Sequence, residues 1–71
     1  MVTKRQLEVI KEVALGKSNK EIGNTLFICE RTVKYHLQQI YIKLGLTDGV
    51  AGSHHRVQLT AEAIKRGWIT L

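Results

Sequence analysis

The sequence predicts an all-α fold of four short helices, and three observations predict it. Apolar residues recur at three- and four-residue spacing in four separate stretches, the period of an amphipathic helix. The chain contains no proline, so backbone sterics bar no helix interior. Glycine stands after three of the stretches, at Gly16, Gly45 and Gly67, where a helix end calls for a left-handed residue. At 71 residues the chain reads as a single domain, 1–71. A domain this small buries only about 60% of its unfolded surface, so its core must be continuous.

The first helix reads as residues 4–15. Thr3 and Gln6 have the spacing of a capping box, and Val2 and Leu7 that of a hydrophobic staple. Leu7, Ile10, Val13 and Ala14 share one face. The second helix reads as residues 19–27. Ser18 and Glu21 repeat the box, so a capping carboxylate is the first account of Glu21, ahead of contact with a partner. Ile22 and Leu26 stand one turn apart. Gly23 costs roughly 1 kcal/mol in a helix interior relative to alanine, and close approach by another helix is a physical reason to keep it.

The third helix reads as residues 30–44. Val33, Leu37, Ile40 and Leu44 make one apolar stripe, with Lys34, Tyr35, Gln38 and Tyr41 off it. Ile28 and Val33 form a further staple pair. Cys29 takes the cap position, where serine or aspartate serves better. Residues 47–55, TDGVAGSHH, have no periodicity and read as an extended loop. The fourth helix reads as residues 56–66. Val57, Thr60, Ala61 and Ile64 share a face, and Lys65 and Arg66 sit at the negative end of the helix dipole. Trp68 and Ile69 are expected to fold back onto the core.

Composition narrows the function. Hydrophobic residues make up 44% of the chain, too many for a disordered tail. No apolar run approaches the roughly 18–20 residues of a membrane span. No apolar stretch follows Met1 to Arg5 as in a signal peptide, and the one cysteine can form no internal disulfide, so the expected setting is the reducing cytoplasm. A net charge of +5 favours an acidic partner, of which nucleic acid is the commonest. Catalysis is not expected. Asp48 is the only aspartate, no nucleophile is paired with a base and an orienting group, and no glycine-rich phosphate loop occurs. No cofactor or small-molecule ligand is implied. His54 and His55 point apart on an extended loop and have no evident third ligand, so no metal site is read there. Cys29 reads as a partly buried, inert thiol ahead of a redox sensor. His36 is either a hydrogen-bonded structural residue or a phosphate contact.

A very short turn around Phe27 to Cys29 joins the second and third helices. The third then offers a polar face whose N-terminal half carries Arg31, Thr32, Lys34, Tyr35 and Gln38. This is the plan of a helix-turn-helix, in which the second helix of the pair enters the major groove. Base edges there offer donor and acceptor patterns that lysine and glutamine match. Tyr35, an aromatic on a polar helix face, reads as a base contact ahead of a surface anchor. Structured RNA is disfavoured, because its narrow major groove excludes a helix.

The stretch Ser18-Asn19-Lys20-Glu21-Ile22, then Thr32-Val33-Lys34 with His36, then Lys43-Leu44-Gly45, closely resembles the signature of the LuxR-type helix-turn-helix family of bacterial regulators. Thr3, Arg5, Glu8-Val9 and Gly16 match its first helix. Arg56-Val57-Gln58, Ala63 and Gly67-Trp68-Ile69 match its fourth. The resemblance implies sequence-specific binding of double-stranded DNA for transcriptional regulation, with the third helix in the major groove. It puts Lys34, Tyr35 and Gln38 at base-facing positions. Ser18, Asn19, Lys20, Thr32 and Lys43 fall at backbone-contact positions, and Arg31, beside them on the basic face, is read the same way. It also implies a homodimer through the fourth helix. Three positions depart from the family pattern. Cys29 replaces the usual serine, Gly23 replaces the usual alanine, and Gly49 to His55 is about seven extra residues ahead of the last helix. The alternative reading is a helix-turn-helix fold used as a protein-interaction module.

Overall fold

A computed structural model describes residues 2–46 and 52–70 of the chain. The described residues form α1 (Lys4–Ala14), α2 (Asn19–Leu26), α3 (Glu30–Leu44) and α4 (Gly52–Lys65), with no strand among them. The all-α, four-helix expectation holds.

Local side-chain chemistry sets the first two helix starts. Thr3 Oγ1 accepts from the Gln6 N–H at 3.1 Å, and Gln6 Oε1 accepts from the Thr3 N–H at 2.9 Å. Ser18 and Glu21 repeat the arrangement at 3.2 and 2.8 Å. Each box satisfies two of the amides that a helix N-terminus otherwise leaves bare. Cys29 occupies the N-cap of α3 and makes no cap hydrogen bond from its side chain. The helix ends follow one pattern. At the end of α4 the Trp68 N–H reaches back to the Ala63 carbonyl at 2.9 Å and Gly67 takes φ +76°. That crossing bond needs a left-handed residue, which glycine adopts without strain.

Val9, Ile10 and Val13 of α1, Ile22 of α2, Val33, Leu37 and Ile40 of α3, and Leu59 and Ala63 of α4 form the buried core. Val2, Leu26, Ile28, Leu44, Trp68 and Ile69 pack against it, so the tail does fold back as expected. Gly23 is buried for a reason closer to home than a neighbouring helix. A β-carbon there would lie 2.6 Å from the Ile28 carbonyl oxygen, so the turn into α3 closes over the glycine itself.

Three details of the sequence reading need correction. Val9 rather than Leu7 or Ala14 completes the buried face of α1. The fourth helix begins at Gly52, not Arg56, so residues 52–55 of the expected loop are helical. Tertiary contact supports that extra turn, because the His55 ring lies 5.0 Å from the ring of Tyr41 on α3. Residues 47–51 of the same loop lie outside the described residues. The inward face of α4 also differs. Leu59 and Ala63 are fully buried, while Val57 is 70% and Ile64 38% exposed. Residues 57 and 64 satisfy helical spacing as well as 59 and 63 do, so spacing alone does not choose between the stripes.

Candidate nucleic-acid interface

The Ser18–Glu21 box sets the direction of α2, and the turn closed over Gly23 delivers the chain into α3 within three residues, Phe27 to Cys29. Phe27 takes the left-handed conformation with φ 60° and ψ 42°, which turns the chain sharply between the two helices. Burial of Val33, Leu37 and Ile40 then fixes the rotation of α3 about its axis. With that stripe inward, Arg31, Lys34, Tyr35 and Gln38 are exposed and Thr32 is half-buried.

An open cavity of about 470 Å³ lies where α2, α3 and α4 meet. Asn19 from α2, Lys34, Leu37, Gln38 and Tyr41 from α3, and His55 and Arg56 from α4 line it. Two expected base-reading residues and one expected backbone-contact residue therefore share one notch. Ser18 and Lys20, exposed at the first turn of α2, flank Asn19 in the chain. Tyr35 is exposed on the same helix beside His36, with ring centroids 5.9 Å apart, and it is not part of the cavity wall. Thr32 Oγ1 lies 3.1 Å from Cys29 Sγ.

Lys43 is placed differently from the rest. Its ammonium donates to Gln6 Oε1 at 2.9 Å, across to α1. It also lies nine residues beyond Lys34, about 13 Å along the helix at the ordinary rise per residue.

The charge arrangement favours an anionic partner on this side. Glu8 is paired with Arg5 at 3.4 Å, Glu12 with Lys17 at 2.5 Å and Glu62 with Arg66 at 2.9 Å, while Glu30, in the first turn of α3, is exposed and in no ion pair among the described residues. No ion pair engages Lys20, Arg31 or Lys34 among the described residues. The Ser18 backbone N–H, with its hydroxyl, holds the Glu21 carboxyl below the usual carboxylate range, so this nearby acid serves its cap.

The model of the family described as bacterial regulatory proteins, luxR family, matches residues 1–63. The chain belongs to that family. Its relatives are regulators by name. The luxR-family domain is 38% identical to the transcriptional regulatory protein DegU of Brevibacillus brevis over 69 residues, covering 97% of this chain and 26% of that protein. It is 51% identical to the transcriptional regulatory protein LiaR of Bacillus subtilis over 47 residues, 66% of this chain and 22% of that protein. It is 42% identical to the nitrate/nitrite response regulator protein NarP of Escherichia coli over 53 residues, 75% of this chain and 25% of that protein. The chain thus spans about a quarter of the length of these relatives.

In this luxR-family domain α4 helps to wall the notch, which no sequence pattern indicated. Arg56, His55 and Tyr41 wall the notch, and none of them was a site candidate. Arg56 did stand out in the sequence, but only as part of a tail match. Its place in the notch goes with a contact to Asn19 across 37 residues of chain, which no local pattern carries.

Proposed function

We propose that this domain binds double-stranded DNA with sequence preference and so regulates transcription, with α3 in the major groove. The observation that carries the reading is the exposed polar half-face of α3 set beside the first turn of α2, with Lys20, Arg31 and Lys34 in no ion pair among the described residues. Lys34, Tyr35 and Gln38 read base edges. Lysine and glutamine match purine acceptor and donor patterns, and an aromatic packs on a thymine methyl. Ser18, Asn19, Lys20, Arg31 and Thr32 hold the sugar-phosphate backbone and fix the register. Lys43 joins this set from its place against Gln6, since an ammonium carries three donors. The role needs no cofactor, metal or catalysis.

The domain acts as a homodimer through α4. The support is the outward stripe of Val57 and Ile64, an apolar edge left over once Leu59 and Ala63 are buried. The cytoplasm, where bacterial DNA lies, is its place of action. No helix among the described residues is long and apolar enough to cross a membrane. A protein-interaction role for the same helix face is not favoured, because the relatives are transcriptional regulators by name.

Selection from random duplexes, followed by a salt titration on the recovered sequence, tests the reading. The expected result is a defined motif and a log–log salt slope of about −0.9 per phosphate neutralised. A folded chain that binds no duplex at low salt rejects it.

A further inference from the structure

Arg56 makes two charge-assisted contacts with the start of α2. Its Nη1 donates to Asn19 Oδ1 at 2.7 Å, and its Nη2 donates to the Lys17 backbone carbonyl at 2.6 Å. A guanidinium has donors and no acceptor, so the amide facing it must present its oxygen. Asn19 Nδ2 is left as the amide's outward group, with no hydrogen-bond partner among the described residues. An untethered asparagine exchanges its oxygen and nitrogen by a half-turn and serves donor and acceptor alike. Here the half-turn would set an N–H group against the guanidinium. The carbonyl of Lys17 holds the guanidinium from a second side, so it does not follow the amide round.

We propose that Arg56 is a positioning residue for DNA binding, holding Asn19 so that its amide offers N–H donors to a phosphate oxygen beside the base-reading stretch of α3. The inference rests on the duplex-binding reading above. Asn19 lines the same notch as Lys34 and Gln38, so a donor fixed there lies next to the path of the bound strand. Phosphate oxygens at neutral pH are acceptors only, so an amide locked as a donor matches them and one locked as an acceptor repels them. The backbone on either side of Asn19 is held as well, by the Ser18–Glu21 box before it and the α2 ladder after it. Pre-setting the amide removes the ordering cost that a free side chain meets on binding. The rival account is that Arg56 acts by its charge alone, since it also lines the notch.

A double-mutant cycle on the 71-residue chain separates the two, with affinity for the selected duplex measured by fluorescence anisotropy. Asn19→Ala is expected to weaken binding about ten-fold, the size of one hydrogen bond to a charged acceptor. Arg56→Met is expected to weaken it by a similar factor, and the double variant to bind no worse than either single one. Arg56→Lys, which keeps the charge and loses the paired geometry, is expected to behave like Arg56→Met. Losses that multiply in the double variant, or wild-type affinity in Arg56→Lys, overturn the proposal. Asn19→Asp covers the case in which Arg56→Met fails to fold. It keeps a partner for Arg56 and turns the outward group into an acceptor. Its expected outcome is an unchanged melting temperature with at least ten-fold weaker binding, and wild-type affinity overturns the proposal. Wild-type protein that binds no duplex at all rejects the underlying function instead.

Discussion

Lys43, near the end of α3, donates to Gln6 Oε1, the same oxygen that caps α1 by accepting the Thr3 N–H. One buried amide therefore closes a capping box and joins two helices. Gln6 is the only buried polar residue among those described. Gln6→Ala should cost about 1–2 kcal/mol, because it opens the box and leaves the Lys43 ammonium without this acceptor. Lys43→Met, which keeps the aliphatic stem, should cost less than about 1 kcal/mol. Urea denaturation of both variants checks the order, and a Lys43 variant less stable than the Gln6 variant contradicts it.

Cys29 is a poor cap in a cap position. Its sulfur makes no cap hydrogen bond, although α3 is the longest helix and its first amides need acceptors. Cys29→Ser should stabilise the domain by about 0.5–1 kcal/mol, raising the melting temperature by a few degrees. The same thiol is exposed, not partly buried as its place in the sequence suggested. The Thr32 hydroxyl, 3.1 Å from the sulfur, is the main cause that draws its pKa below the usual thiol value, and the Thr32 backbone N–H adds a weaker pull without making a cap hydrogen bond. A lowered pKa means more thiolate at neutral pH, so alkylation should be faster in the folded chain than in urea. Equal rates once reagent effects are corrected would show that the cap environment does not reach the sulfur.

Residues that read bases and residues that hold the backbone should separate on random DNA. Lys34→Ala and Gln38→Ala should each lose roughly 1–3 kcal/mol on the selected site and much less on random duplex. Lys20→Ala should weaken both alike and reduce the salt slope by about 1. A Lys34 variant with equal losses on both duplexes would move that residue to the backbone set.

Much of this was legible because it is local. The pairs Thr3–Gln6 and Ser18–Glu21 are three residues apart, and the polar stretch of α3 is nearly contiguous, so periodicity and cap spacing found them. The features that escaped depend on distant partners. Gln6–Lys43 and Asn19–Arg56 each join residues 37 apart. Two apolar stripes on α4, Val57 with Ile64 and Leu59 with Ala63, both fit helical spacing. The contact of Arg56 with α2 also ties α4 to the fold, and a hydrophobicity pattern does not register it. The start at Gly52 was unreadable for a related reason. Glycine is a weak helix former, and this turn is supported by the packing of His55 on Tyr41 rather than by propensity.

The outward stripe of α4 makes the dimer testable without disturbing the core. Val57 is 70% exposed, so Val57→Glu should change stability by no more than about 0.5 kcal/mol. If α4 is the dimer face, the charge should lower self-association at least ten-fold, because an unpaired carboxylate in an apolar contact loses its hydration. Sedimentation of both forms at matched concentrations reads the outcome. Unchanged self-association places the dimer contact elsewhere.

Deleting Gly49 to His55 tests how the extra segment is used. The deletion places Asp48 directly before Arg56, and aspartate is among the best N-cap residues, so a shorter α4 can start there. Leu59, Ala63 and the grip of Arg56 on Asn19 lie beyond the cut and remain available. What goes is the first turn of α4 and with it the His55 ring from the side of Tyr41. The variant should still unfold cooperatively, with helix content lower by the lost turn and stability lower by about 1–2 kcal/mol for the missing aromatic contact. Tyr41 gives a second readout. Burial pushes its phenol above the ordinary tyrosine value, against an opposing pull from the Arg56 charge. Stripping away His55 admits water and should bring that pKa back down, visible as tyrosinate forming at lower pH in an ultraviolet titration. A variant that loses cooperative unfolding would show that the extra turn is part of what seats α4. An unmoved tyrosine titration would mean that Tyr41 is shielded by the core side of α3 and not by His55.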